Sequence, residues 1–106
     1  MFKGNLGDMI RQAQQLGQDL KARQEELALR TVDVAVGGGM VQMTFNGKCE
    51  ALAVRIDPEV VDRTDVDMLQ DLVLSAVNEG VRRAQQMQQE EMAKLTGGLN
   101  IPGVTA

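Results

Sequence analysis

Apolar positions along the first part of the chain recur at helical spacing. Leu6, Met9, Ala13, Leu16, Leu20 and Leu27 lie three or four residues apart, save for one gap that Arg23 fills. This is a heptad seam, and it predicts a helix over 6–29. The rest of its surface is polar and carries Gln12, Gln14, Gln15, Gln18 and Gln24. Gly17 sits inside this helix at a cost of about 1 kcal/mol relative to Ala, and leaves room for another backbone to approach.

From residue 31 the period changes to two. Val32, Val34 and Val36 alternate with Thr31, Asp33 and Ala35; Gly37-Gly38-Gly39 then makes a turn. Val41, Met43 and Phe45 alternate with Gln42 and Thr44, and Asn46-Gly47 is a strong hairpin signal, because both residues tolerate positive φ. Leu52, Val54 and Ile56 mark one side of a third strand, with Ala51, Ala53 and Arg55 on the other. The pattern predicts an antiparallel three-stranded meander over 31–56. Both sides of so small a sheet are edges, which invite pairing with another chain.

Asp57-Pro58 ends the third strand and starts a short helical turn. Thr64 is the expected N-cap of a second long helix, with Asp65 and Asp67 complementing its dipole. Leu69, Leu72, Val73, Ala76, Val77, Gly80, Val81 and Ala84 form a wide apolar stripe, which thins beyond Met87 into Gln88, Gln89, Glu90 and Glu91. Gly97-Gly98 is the stop signal. One domain over 1–98 and a flexible C-terminal tail over 99–106 are expected. A helix over 65–95 is about 46 Å long at 1.5 Å per residue. A compact domain of this size has a radius of gyration near 13 Å. Either the helix projects as an arm or a second subunit covers it. The predicted fold is therefore α+β: long helix, three-stranded antiparallel meander, long helix, in a dimer with projecting helical arms.

Composition narrows the chemistry. The 106 residues include no His, Trp or Tyr, and the aromatics are Phe2 and Phe45. The commonest general base and metal ligand is missing. So is a stacking platform for single-stranded nucleic acid. Cys49 is the only cysteine, which fits a reducing cytoplasm. No apolar run is long enough to span a membrane, and residues 1–5 do not read as a secretory signal. The net charge is −4, but it is unevenly spread. Asp57, Glu59, Asp62, Asp65, Asp67 and Asp71 face only Arg63, so this stretch carries −5 and the remainder +1. Lys3, Arg11, Lys21 and Arg23 against Asp8 and Asp19 leave residues 1–24 at +2.

No catalytic constellation emerges. Gly37-Gly38-Gly39 precedes a strand, with no following Lys-Ser or Lys-Thr, so it reads as a turn and not a phosphate loop. Cys49, placed in a predicted strand with no His to activate it, reads as structural. Ser75, the only serine, lies inside a helix. The acidic run lacks the glycine turn and terminal Glu of a calcium loop and reads as a solvated loop with helix-dipole partners. The methionines fall mostly at core spacings. An enzyme is therefore not expected, and no cofactor or metal is implied. The basic residues Arg11, Lys21, Arg23, Arg82, Arg83 and Lys94 read either as solvated helix faces or as phosphate contacts, with Gln14 adding a hydrogen bond.

The order of segments is distinctive. Ile10-Arg11-Gln12-Ala13-Gln14-Gln15-Leu16 opens the seam helix, and Asn46-Gly47 joins two strands. Ile56-Asp57-Pro58-Glu59-Val60-Val61 follows, then Asp67-Met68-Leu69-Gln70-Asp71-Leu72-Val73, Ala76-Val77-Asn78-Glu79 and Arg83. Met92-Ala93-Lys94-Leu95-Thr96-Gly97-Gly98 leads into a Pro-Gly tail. In this order, over nearly the whole chain, the sequence resembles the YbaB/EbfC family of bacterial nucleoid-associated proteins. The resemblance implies the helix–sheet–helix fold, a homodimer with tweezer-like helices, and binding to double-stranded DNA in the cytoplasmic nucleoid. It places basic contacts at Arg11, Arg83 and Lys94; Gln14, Lys21, Arg23 and Arg82 are added from helix placement. Low sequence specificity and a role in nucleoid organisation or gene regulation follow as expectations. The thin basic count suggests weak, salt-sensitive affinity. The rival reading is a protein–protein adaptor for replication or recombination factors, with DNA binding incidental.

Overall fold

The structure, a computed structural model, describes residues 5–97. Helix α1 spans Leu6–Leu29, strand β1 Thr31–Val36, β2 Val41–Asn46, β3 Ala51–Ile56, and helix α2 Val66–Gly97. The α+β order read from periodicity is the observed one. The expected C-terminal tail lies outside the described residues.

Helix α1 begins where the Asn5 side chain accepts the N–H of Asp8 at 2.8 Å, one of the four donors a helix start leaves unsatisfied. The strands are ordered β1-β2-β3, both pairs antiparallel. The register aligns Val36, Val41 and Ile56 in one row and Val34, Met43 and Val54 in the next. One face of the sheet is therefore apolar throughout, and α2 packs there against β1 and β2. Val34, Val41 and Phe45 of the sheet join Ala76 and Ala84 of α2 as a buried core. Gly80 makes the close approach possible: a Cβ on it would lie 2.0 Å from the Phe45 ring.

Strand β3 departs from the expected pattern. Leu52, Val54 and Ile56 alternate as one side of the strand, yet Leu52 is 54% and Val54 57% exposed. The reason is coverage. One helix packs mainly across β1 and β2, and among the described residues Val54 stays exposed. Leu52 also falls at the irregularity between Thr44 and Phe45, where the β2–β3 register shifts.

The β2–β3 connection is longer than a two-residue Asn-Gly hairpin. Asn46 ends β2 with its side chain buried and organises the turn. Its Oδ1 accepts the N–H groups of Lys48 at 2.9 Å and Glu50 at 3.0 Å, and its Nδ2 donates to Glu50 Oε1 at 2.8 Å. Positive φ is taken by Cys49, at 64°, so Cys49 lies in the turn and not in a strand. Gly47 docks this turn on α1, donating to the carbonyls of Leu27 at 2.8 Å and Arg30 at 3.0 Å.

The acidic run caps local structure. Asp57 accepts from the Glu59 N–H with Pro58 at the start of a helical turn. Asp62 accepts from the Thr64 N–H and hydroxyl; these two bonds hold its carboxyl below the usual value. Asp65, and not Thr64, caps α2, accepting the N–H of Met68 at 3.3 Å. The helix starts at Val66, one residue later than a Thr64 cap requires, while the Thr64 hydroxyl donates to Asp62.

The molecule measures 74 × 28 × 16 Å, far from the compact shape of a typical domain this size. Residues 5–19 of the α1 side are exposed throughout. The seam residues Leu6, Met9 and Leu16 thus face solvent, although their spacing is that of a packed helix.

Candidate nucleic-acid interface

The break in the α1 seam has a structural partner. Arg23 occupies a seam position between Leu20 and Leu27, and Glu91 continues the α2 stripe four residues beyond Met87. The two meet: Arg23 Nη1 lies 3.1 Å from Glu91 Oε2. Arg30, the C-cap of α1, donates to Glu91 Oε1, and Lys94 Nζ reaches the same oxygen at 3.1 Å. The Glu91 side chain is only 2% exposed. A buried carboxylate is tolerated when its charge is met by donors of opposite sign, and here three converge on it. The hydrogen bond from Lys94 is the main cause holding the Glu91 carboxyl below the usual glutamate value. Burial opposes it, and the charges of Lys94 and Arg30 add to it. Glu91 and Arg30 were not singled out from sequence. A charged residue in each of two apolar stripes was the available signal.

The other basic candidates are differently placed. Arg11 is exposed and stands 3.8 Å from Asp8, a loose pair. Gln14 and Lys21 are exposed. Seven residues apart, they project from nearly the same side of α1. Arg23, two residues beyond Lys21, points to the opposite side, toward α2. Arg82 pairs with Glu79, Nη2 to Oε1 at 2.7 Å and Nε to Oε2 at 3.1 Å. That bidentate contact raises the Arg82 value and lowers that of Glu79. Arg83 Nη1 donates to the Asp33 carbonyl at 2.6 Å, bracing α2 on edge strand β1. The seven candidates therefore do not form one patch. Arg11, Gln14 and Lys21 lie along the projecting part of α1; Arg82 and Arg83 lie midway along α2; Arg23 and Lys94 gather on Glu91.

Acidic residues occur all along α2, with Asp67 and Asp71 near its start, Glu79 at its middle and Glu90 and Glu91 near its end, while Arg82, Arg83 and Lys94 lie in its second half. Between α1 and α2 runs a cleft of about 390 Å³, lined by Leu20, Arg23, Leu27, Lys48, Glu91 and Met92 among others. Its lining mixes the apolar Leu20, Leu27 and Met92 with the charged Arg23, Lys48 and Glu91. Among the described residues no group of three His, Cys, Asp or Glu is placed to hold a metal, and no helix is long and apolar enough to cross a membrane.

Both helices are slightly acidic overall, α1 at −1 and α2 at −2, so their basic side chains are local features on a helix–sheet–helix frame. Residues 2–99 match the YbaB/EbfC DNA-binding family, and the chain belongs to that family. It is similar to a nucleoid-associated protein of Thermoanaerobacter sp. (strain X514), 53% identical over 100 residues, which cover 94% of this chain and 90% of the relative. A nucleoid-associated protein of Pelotomaculum thermopropionicum is 47% identical over 104 residues, covering 98% of this chain and 99% of that one. Among solved structures, an uncharacterized protein of Helicobacter pylori superposes with a TM-score of 0.79 at 19% identity, over 88% of this chain and 98% of that chain. That likeness establishes the fold. The resemblance read from the ordered segments is thus correct.

Proposed function

We propose that this chain is a nucleoid-associated protein without catalytic activity that binds double-stranded DNA as a homodimer. It contacts backbone phosphates with little sequence preference, and so organises the nucleoid or regulates gene expression in the cytoplasm. The phosphate contacts are Arg11, Lys21, Arg23, Arg82, Arg83 and Lys94, with Gln14 as a neutral hydrogen-bond partner.

Membership of a DNA-binding family carries this reading, and the names of the relatives supply the nucleoid. A net charge of −4 repels DNA on average, so contact depends on local groups of exposed basic side chains such as Arg11 and Lys21. The homodimer is supported by two apolar surfaces exposed among the described residues: the α1 seam at Leu6, Met9 and Leu16, and the β3 residues Leu52 and Val54. A second copy would bury both. A protein–protein adaptor would use those same surfaces for a different partner and would not need the α1 cations.

The experiment that separates the two readings is the pair of substitutions Arg11→Glu and Lys21→Glu. Neither side chain holds the fold together, since Arg11 has only its loose pair with Asp8. The DNA reading predicts loss of duplex binding with the dimer intact by light scattering. Retention of full DNA binding rejects these two contacts. Loss of the cellular phenotype only when Leu52 and Val54 are changed favours the adaptor.

A further inference from the structure

The Glu91 cluster contains more cation than its own structure requires. One carboxylate faces Arg23, Arg30 and Lys94, so these four side chains alone sum to +2, with Asp19 and Glu26 on the neighbouring surface beside Arg23. Each contact to Glu91 uses a single nitrogen of each cation. An arginine has five N–H donors and a lysine three, so most remain free. The burial is layered. Glu91 is 2% exposed beneath Arg23 at 35%, Arg30 at 39% and Lys94 at 62%. The spare donors therefore lie on the outer side of the cluster, while the carboxylate fixes their positions from below. Lys48 adds a further cation along the same cleft.

We propose that Arg23, Arg30 and Lys94 form a preorganised docking point for a backbone phosphate of duplex DNA, with Glu91 as the positioning residue beneath them. This deepens the DNA-binding reading above and rests on it. Arg30 thereby joins the contact set, and the ion pairs of Arg23 and Lys94 become part of the site instead of competing with it. Tying two arginines and a lysine to one buried anchor reduces the side-chain freedom lost when a phosphate arrives. Guanidinium groups suit the task because their forked donors match phosphate oxygens. The cluster is open to solvent and does not enclose an ion. A lone phosphate on exposed cations is held weakly in water, whereas a phosphate in a duplex is held in place by its neighbours.

The test is duplex binding by fluorescence anisotropy at four salt concentrations, using the full chain and the variants Arg30→Gln, Arg63→Gln and Glu91→Gln. Arg30→Gln and Arg63→Gln remove the same charge, but Arg63 lies in the acidic loop. The log–log salt slope becomes shallower by about 0.9 for Arg30→Gln, the value of one phosphate contact, and is unchanged for Arg63→Gln. Arg30→Lys restores most of the slope. Glu91→Gln also makes it shallower, although the variant is more positive by one charge, because the three cations lose their common anchor. If Arg30→Gln does not fold, Lys94→Gln carries the same expectation, since its lysine sits one turn from Glu91 on the same helix. A wild-type slope in Arg30→Gln, an equal change in Arg63→Gln, or an unchanged or steeper slope in Glu91→Gln overturns the proposal while DNA binding stands. Absence of duplex binding by the wild type and all variants overturns the DNA reading itself, and this site with it.

Discussion

Arg23 of α1 and Glu91 of α2, 68 residues apart in sequence, meet at 3.1 Å in a cleft where both apolar stripes are interrupted. The pairing joins the two long helices where few other contacts do. It also has a definite pH dependence. The folded-state value of Glu91 is depressed, chiefly by the Lys94 hydrogen bond, with Arg30 and Arg23 contributing. Its contribution to stability is therefore complete above the unfolded glutamate value, near 4.3, and is lost as pH falls through the lower folded value. Urea midpoints of wild type and Glu91→Gln, compared from pH 7 down to pH 3, test this. The wild-type advantage should be constant at neutral pH and shrink below about pH 4.3. Asp62 and Glu79 are also depressed, but they are common to both proteins and cancel in the difference. An advantage that does not change with pH contradicts the assignment.

Gly80 has less room for a Cβ than any other described glycine. Gly80→Ala drives a methyl group into the Phe45 ring, from which the ideal Cβ stands only 2.0 Å away. Overpacking of this kind costs about 1–3 kcal/mol, against a gain of about 1 kcal/mol from removing a helical glycine. A lower urea midpoint is expected. Gly80→Ala in a Phe45→Leu background should recover part of the loss, and a double-mutant cycle measures the coupling.

Gly17 makes the opposite prediction. No atom of the described chain lies within 4 Å of its Cβ position, so Gly17→Ala should stabilise α1 by about 1 kcal/mol. Thermal melts of the variant check this. Weakened self-association in that variant would mean that a second copy approaches the helix at this point.

The apolar seam of α1 predicts a dimer interface. Leu16→Glu places a charge on an exposed side chain outside the buried core, so the fold should survive by circular dichroism. Self-association should weaken by at least about tenfold, or 1.4 kcal/mol, in sedimentation measurements. An unchanged association constant would move the interface to Leu52 and Val54.

Much of the fold was legible in the sequence because its elements are long and strongly periodic. The limits of α1 and the three-strand order follow from the change of period at residue 31. What periodicity does not encode is coverage. The alternation in β3 is that of a half-buried strand, and one helix cannot cover three strands, so Val54 remains exposed. Turn chemistry was legible in kind but not in detail: Asn46 serves the turn through its buried side chain, and Cys49 takes the left-handed conformation. The site was less legible. Arg23 and Glu91 each look like a flaw in an apolar stripe, and only their juxtaposition across 68 residues gives the flaws a purpose. The bracing of Arg83 on the Asp33 carbonyl is likewise invisible to helix placement alone. For that reason Arg11 and Lys21 are better probes of DNA contact than Arg83.

The central claim is contact with DNA phosphates, and salt-dependent binding of a labelled duplex by the wild-type protein tests it most directly. Each phosphate neutralised contributes about −0.9 to the log–log slope. With Arg11, Lys21 and Arg82 presented at the surface of each subunit, the account predicts a slope steeper than about −3 and a Kd on the order of 10⁻⁴–10⁻⁶ M near physiological salt. Binding that is flat in salt, or absent even at low salt, would contradict it.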